Sequence, residues 1–272
     1  MNLDGWTWEE ATLRANAGIE FNFPSLTPRR RFFGGGPAED TTFEKLKKQR
    51  DDKLDEVARL LDRARAYAHA APGTPKDWVL DALVPVVERR LPLVATANSE
   101  QDIRDAVAFA DRVKVNLVIS GGAEAGFVAP LLAEKHIPVI LGNVLTLPSR
   151  EDDFAAASYQ LAGELARAGV KVAFSTGDST NVRLLPYEAA MSVAWGLDRA
   201  EALKALTINA AEILGIADHA GSIEPGKDAN LFIANGDPME IRTEITHVII
   251  EGKDVGLDNK QLALYKKYMA RQ

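Results

Sequence analysis

The stretch that decides the fold runs from residue 91 to residue 176. Within it, residues 91–97 read LPLVATA, 115–120 read VNLVIS, 137–141 read IPVIL and 171–176 read KVAFST. Each run is short and apolar, as expected of a strand that is buried on both faces. Helical patterns separate the runs, which predicts successive βα units with parallel strands. Such a series fits either a TIM-type barrel or an open doubly wound sheet.

The segments on either side of this stretch have other patterns. Before it, we predict irregular chain with a short extended piece at Ile19–Phe23, then a long helix after the candidate N-cap Thr41 and a second helix at Asp77–Arg90. After it, we predict helices at Tyr187–Trp195 and Arg199–Leu214.

The tail is predicted to form a small β unit outside the main sheet. Its strands, Ala229–Ala234 and Ile245–Glu251, do not alternate with helices, and a last helix covers Asn259–Ala270. The predicted divisions are residues 1–90 as the irregular and helical start of a barrel domain, 91–220 as its βα units, 221–258 as the β unit and 259–272 as a C-terminal helix.

Composition and charge exclude several classes of protein. The chain has 272 residues, a net charge of −7 and no cysteine. The acidic balance argues against nucleic acid as a partner, and the lack of cysteine excludes disulfides and thiolate metal ligands. No apolar run has the length of a membrane span, and the start at Met1 carries no signal-peptide pattern, so the sequence as written predicts a cytoplasmic protein with no membrane partner.

Polar or small residues follow each predicted strand. Ligands of parallel α/β folds bind at the carboxyl ends of the strands, so these residues are the candidate site. Asp178 stands out, because a carboxylate beside a glycine can ligate a metal or act as a general base, although capping a turn is an equal alternative. The predicted binding residues for a small-molecule substrate are Thr96, Asn98, Gly121, Glu124 and Asn143.

The four histidines do not supply a metal site in this sequence. None lies at the carboxyl end of a predicted strand, and no two have the spacing of metal ligands. We predict structural or surface roles for His69, His136, His219 and His247.

The last third of the chain resembles a known family. Residues 207–215, TINAAEILG, resemble the last barrel helix of the imidazolonepropionase-like group of the amidohydrolase superfamily. Residues 221–231, GSIEPGKDANL, resemble the turn and strand that follow it, and Gly236-Asp237-Pro238 is also typical. The resemblance extends back through Leu185–Glu188 to Asp178. The start of the chain, Gly5–Glu10, resembles a segment of one bacterial branch of the family.

The resemblance implies a fold and a chemistry. The family fold is a distorted (β/α)8 barrel with a small β-sandwich built from both chain ends. The family chemistry is metal-dependent hydrolysis of C–N bonds in amides or cyclic amidines. Its metal ligands are an H-x-H pair on strand 1, histidines that end strands 5 and 6, and an aspartate that ends strand 8. The metal lowers the pKa of a bound water, and the aspartate helps to remove the proton.

Carried onto this sequence, the family pattern is only partly present. Asp178 matches the strand-8 aspartate, whereas Thr96 and Gly121 stand where the two strand-end histidines are expected, and no H-x-H occurs. Four clear strands and one weaker strand are too few for a closed barrel. We therefore expect an α/β fold, a partial TIM-type (β/α)8 amidohydrolase barrel with remnant strands of the composite β-sandwich. The strands that it lacks would come from another segment, a second copy or a partner chain.

Three functional hypotheses remain open from the sequence. The first is a hydrolase of small-molecule C–N bonds with Asp178 as the surviving catalytic carboxylate. We expect no cofactor in this chain as written. A divalent metal such as zinc would bind only if another segment or subunit supplied the other ligands. The second is a metal-free pseudoenzyme that binds a ligand or a partner subunit. The third is metal-independent acid–base chemistry that pairs Asp178 with Glu124, in which one carboxylate would raise the pKa of the other.

Overall fold

The N-terminal part of the fold is one strand and two helices, of which the first has 26 residues and the second has 10. The computed structural model describes residues 6–26, 42–71, 73–148, 150 and 152–271. Strand β1 covers Ile19–Asn22, as the extended piece predicts. Helix α1 covers Phe43–Ala68 and begins at Thr42, whose side chain accepts from the N–H of Lys45. The expected N-cap Thr41 lies outside the described residues.

Four βα units follow, and their caps agree with the sequence. Asp77 starts α2 by accepting hydrogen bonds from two backbone N–H groups, and Ser99 starts α3 by accepting one. The helical segment expected between the second and third apolar runs is a 3-10 turn at Ala125–Val128 followed by α4. The bounds are α2 Trp78–Val87, β2 Leu93–Ala97, α3 Glu100–Val113, β3 Leu117–Gly121, α4 Ala129–Glu134, β4 Val139–Leu141, α5 Ala157–Arg167 and β5 Val172–Phe174.

The five strands form one parallel sheet in the order β1-β2-β3-β4-β5. Each strand pairs with the strand before it in the chain, as in Leu93 with Leu117 and Val139 with Val172. A doubly wound sheet reverses its strand order at a switch point, and no reversal occurs among these strands. The order is that of part of a TIM-type barrel, which decides between the two predicted folds.

The core lies between the sheet and the helices that cross over it. Ile119 and Val139 on the strands are fully buried, and so are Ile103, Leu132 and Leu165 on three of the helices. Burying an aliphatic side chain of this size stabilises the fold by about 1.5–3 kcal/mol relative to leaving it exposed. These contacts hold the carboxyl ends of the strands at fixed positions.

The helices after β5 differ from the prediction in one respect. Helix α6 covers Leu185–Ala194, but the single helix expected at Arg199–Leu214 is two helices, α7 Arg199–Leu206 and α8 Ile208–Leu214. The break is at Thr207, whose φ of −127° and ψ of −95° lie outside the helical region. The side chain of Asn209 donates to the carbonyl oxygen of Val172 at 3.0 Å, which ties α8 to β5.

The segment between α8 and the C-terminal strands, residues 215–230, contains a tight turn. Gly221 in this turn has a φ of +97° and approaches α8 closely, because a Cβ added to it would lie 2.7 Å from the Cβ of Ala211. Only glycine combines that backbone conformation with that approach. The turn therefore fixes where the chain leaves the barrel.

The C-terminal strands form a separate antiparallel sheet in the order β6-β7-β8, which confirms the predicted β unit. The strands are β6 Leu231–Ala234, β7 Ile245–Ile250 and β8 Lys253–Asp254, and α9 Lys260–Met269 follows them. Phe232 and Ile233 are about half exposed, and every side chain of α9 is exposed. None of the helices in the described part of the chain is long and apolar enough to cross a membrane.

Candidate functional site

The carboxyl ends of the five strands meet at one edge of the sheet. The register pairs Asn22 with Thr96, Ala97 with Gly121, and Leu141 with Phe174. The predicted site residues that follow these strands therefore lie along the same edge. A cavity of about 230 Å³ opens beside it, and its lining includes Asn98, Gly121, Asn143, Thr146, Asp153 and Ser158.

Three of the predicted binding residues line this cavity, and two do not. Asn98, Gly121 and Asn143 are among its lining residues. Thr96, half-buried on β2, lies outside that lining, and so does Glu124. The cavity also has a wall that the sequence reasoning missed, formed by α5 and the loop before it, where Ser158 donates to the carbonyl oxygen of Thr146 at 3.0 Å.

Gly121 shapes the cavity because it lacks a side chain. Its φ is +96°, and a Cβ built on it would lie 2.4 Å from Oδ1 of Asn98. The amide of Asn98 therefore lies over the glycine, and a larger residue would push it away. Two backbone bonds hold this arrangement, from the N–H of Gly122 to Ala97 O at 2.9 Å and from the N–H of Glu124 to Asn98 O at 2.8 Å.

The side chain of Glu124 caps a helix. Its Oε2 accepts a hydrogen bond of 2.8 Å from the N–H of Glu100, the first residue of α3. A carboxylate at that position also interacts favourably with the helix dipole. This contact gives Glu124 a structural role in addition to its predicted place at a strand end.

Asp178 lies in the exposed loop between β5 and α6, and a neighbouring asparagine engages both of its oxygens. Oδ1 accepts from the backbone N–H of Asn181 at 2.8 Å, and Oδ2 accepts from its Nδ2 at 2.9 Å. These hydrogen bonds lower the pKa of Asp178, first the one from the backbone and then the one from the side chain. The groups whose hydrogen bonds shift this pKa lie within the loop itself, at Asn181 and Thr180, and Glu124 is not among them.

One buried carboxylate, Glu188, is not among the site residues that the sequence predicts. Glu188 on α6 is 1% exposed, and its Oε2 accepts hydrogen bonds from the N–H groups of Val144 and Leu145, the latter at 3.1 Å. Burial raises the pKa of Glu188, and the two hydrogen bonds oppose that shift. Its partners lie in the loop after β4, far away in the sequence. The signal that could have identified Glu188 was its place in the segment Leu185–Glu188, which belongs to the family resemblance.

The residues that the structure describes do not by themselves fit a metal ion. Within the ranges that the structure describes, no group of three or more His, Cys, Asp and Glu side chains is arranged to hold one. Catalytic zinc takes about three protein ligands, and the resemblance implies only Asp178 as one of them.

The histidines lie away from the carboxyl edge. His69 is the C-cap of α1, and His136 follows α4 before β4, so it lies at the amino end of the sheet. His219 lies 3.8 Å from Asp228, and His247 on β7 contacts Asp254 at 2.8 Å.

Comparisons with known proteins agree with this architecture. The model of the amidohydrolase family matches residues 9–255. A 78-residue part of the chain is 44% identical to imidazolonepropionase from Geobacillus kaustophilus (strain HTA426). The matched part covers 27% of this chain and 18% of that protein.

Two solved structures show the same fold. The crystal structure of an amidohydrolase from Thermotoga maritima MSB8 superposes with a TM-score of 0.75 at 25% identity, over 94% of this chain and 66% of that one. A second solved amidohydrolase has a TM-score of 0.53 at 20% identity, over 88% of this chain and 67% of that one, and it supports the fold alone. The chain thus spans less than two thirds of the Thermotoga protein. With a family model that matches most of its length and a parallel sheet of the expected order, the chain belongs to the amidohydrolase family.

Proposed function

We propose that this chain is part of a hydrolase that cleaves a C–N bond in a small molecule, an amide or a cyclic amide other than a peptide, with Asp178 as its catalytic carboxylate. The observation that carries the proposal is the cavity at the carboxyl edge of the barrel sheet, where Asn98, Gly121 and Asn143 come together. This edge is where barrel enzymes bind their substrates.

The chemistry of the cavity suits a small uncharged amide. The side chains of Asn98 and Asn143 each offer N–H donors and a carbonyl acceptor, which can pair with the acceptor and donor of an amide group. The part of the cavity that this chain bounds has a volume of about 230 Å³, below that of pockets for drug-sized ligands, which supports a small substrate. The proposal assigns to the carboxylate of Asp178 the acceptance of a proton from an attacking water. Asp178 is not among the residues that line the cavity, but its loop lies beside it, since a Cβ built on the adjacent Gly177 would be 3.9 Å from the backbone nitrogen of Asn143.

A divalent metal belongs to this proposal only if further ligands complete the site. The described residues of this chain do not provide them, and those ligands would come from another segment, a second copy or a partner chain. We derive no step of the reaction through a metal.

A second candidate function is a metal-free subunit that binds a small ligand or a partner chain. Two observations favour it. Thr96 and Gly121 occupy the positions at which the family has histidines, and both oxygens of Asp178 are engaged by Asn181. In this candidate the cavity binds its ligand without cleaving it.

Metal analysis and an activity panel test the two candidates together. The purified chain is assayed for bound zinc, manganese and iron and for hydrolysis of a panel of cyclic amides, small linear amides and dipeptides. The variant Asp178→Ala is compared with Asp52→Ala, which removes an exposed carboxylate on α1 as a matched control. The hydrolase proposal expects activity on the amides that Asp178→Ala abolishes and Asp52→Ala retains. A wild-type chain that binds panel members, detected as a rise in melting temperature, but cleaves none of them would refute the hydrolase and support the second candidate.

A further inference from the structure

Glu188 is the most deeply buried carboxylate in the described part of the chain. It lies in the first turn of α6 at 1% exposure. Burying an ionisable group in a protein interior is unfavourable unless hydrogen bonds compensate for the lost hydration. A single oxygen of Glu188 accepts from two successive backbone N–H groups, those of Val144 and Leu145.

These two N–H groups belong to the loop that follows β4. The loop carries Asn143, which lines the candidate cavity, directly before Val144. On its other side it is held through Thr146, whose carbonyl oxygen accepts from Ser158 on α5. Glu188 therefore provides the contact that ties this loop to α6.

Helix α6 is also the element that follows the Asp178 loop. The chain runs from Asp178 through the asparagine that it contacts, a 3-10 turn at Val182–Leu184, and directly into α6. The position of α6 thus limits where Asp178 lies. The carboxylate of Glu188 therefore connects α6, the helix that follows the Asp178 loop, to the loop that carries Asn143.

We infer that Glu188 is a positioning residue: by holding the amides of Val144 and Leu145, it fixes the Asn143 side of the cavity relative to the Asp178 loop. The inference deepens the proposed function and rests on it only in assigning the cavity to substrate. An apolar residue of the same size would fill the same space, but it would leave the buried N–H of Val144 and the part-buried N–H of Leu145 without this acceptor.

Hydrogen exchange of the full chain, read at individual amides, tests this role without a substrate. Glu188→Gln keeps an oxygen that both N–H groups can reach, whereas Glu188→Met keeps the volume and removes the acceptor. We expect the amides of Val144 and Leu145 to exchange at least about 10-fold faster in Glu188→Met and within about 3-fold of wild type in Glu188→Gln, from the cost of leaving a donor without any acceptor. The amides of Ala95 and Ile119, in the centre of the sheet, should exchange at unchanged rates in both variants.

Two results would overturn the inference. The first is unchanged exchange at Val144 and Leu145 in Glu188→Met. The second is an equal increase at Ala95 and Ile119, which would make Glu188 a residue of general stability and not of positioning. If Glu188→Met does not fold, Glu188→Asp takes its place, because its carboxylate is one methylene shorter and the same increase at the two loop amides is expected.

An activity readout then connects the loop to the site. On the amide that the panel identifies, kcat/KM should fall at least about 10-fold in Glu188→Met and recover in Glu188→Gln, because the Gln oxygen restores the two bonds. Equal kcat/KM in wild type and Glu188→Met, despite faster exchange at the loop, would refute the link to the site. If the wild-type chain cleaves no amide, the proposed function fails, and the exchange rates alone decide whether Glu188 holds the loop.

Discussion

Replacing Gly221 with alanine should destabilise the fold more than the same change at Gly226, five residues further along. Both glycines have nearly the same backbone conformation, with φ of +97° and +96°. A Cβ at Gly221 would lie 2.7 Å from the Cβ of Ala211 and 2.9 Å from the Cα of Ile208, whereas a Cβ at Gly226 would meet nothing within 4 Å. The pair separates the cost of the contact with α8 from the cost of the backbone conformation.

The two costs can be estimated separately. An L-residue in a left-handed conformation costs about 1–2 kcal/mol, and this applies to both variants. The methyl at Gly221 must in addition displace the backbone of α8, since neither contacting atom is at the end of a flexible side chain. Overpacking of this kind costs about 1–3 kcal/mol. Gly221→Ala should therefore lower the free energy of unfolding by about 1–3 kcal/mol more than Gly226→Ala.

Urea unfolding followed by circular dichroism measures this difference. At an unchanged m-value, a lower midpoint reports a loss of stability. In thermal unfolding, the melting temperatures of the two variants should differ by about 2–4 °C for each kcal/mol. If Gly221→Ala is no less stable than Gly226→Ala, then α8 does not pack against the turn as described, and the reasoning is wrong.

Three further predictions concern the core, a helix cap and the pH dependence of stability. Leu132→Ala, at a site of 0% exposure, should cost about 2–5 kcal/mol of unfolding free energy in urea melts, against less than about 0.5 kcal/mol for Leu147→Ala at 85% exposure; similar losses would contradict the assigned core. Asp198→Ala removes the acceptor of two N–H groups at the start of α7 and should cost about 1 kcal/mol, whereas Asp198→Asn should cost less. Burial raises the pKa of Glu188, so the folded state holds its proton more tightly than the unfolded chain does, and stability should fall as pH rises from the ordinary pKa of a glutamate through the raised one. That fall should be absent in Glu188→Gln, and an identical pH dependence of the urea midpoint in both proteins would contradict the prediction.

Much of the barrel could be predicted from the sequence because its signals are local. Each apolar run from Leu91 onwards gives a buried strand, and side chains such as Asp77 and Ser99 cap the helices that the pattern predicts. The division at Thr207 could not be predicted, because the apolar spacing continues through it. Tertiary contacts, including the bond from Asn209 to Val172, accompany the change of direction there.

The candidate site could be predicted in its place but not in its details. The edge of the sheet follows from strand direction alone, and Asn98, Gly121 and Asn143 line one cavity there. The roles of Glu124 and Glu188 depend on backbone N–H groups of distant segments. Every residue except proline has such a group, so the sequence does not show which N–H a given carboxylate will accept from. A carboxylate in the sequence gives no indication that its partner is the start of another helix or a loop after another strand.

The sequential strand order also bears on how the protein can be synthesised. Strands β2 to β5 each pair with the strand made just before them, so most contacts of the sheet join segments that leave the ribosome in close succession. Because each of these strands finds its partner already made, the chain can add one βα unit at a time during translation. The exception is β1. Its partner β2 is synthesised only after α1 and α2, which lie between the two strands in the chain. Until β2 arrives, the edge of β1 that β2 covers leaves its backbone N–H and C=O groups without their strand partners.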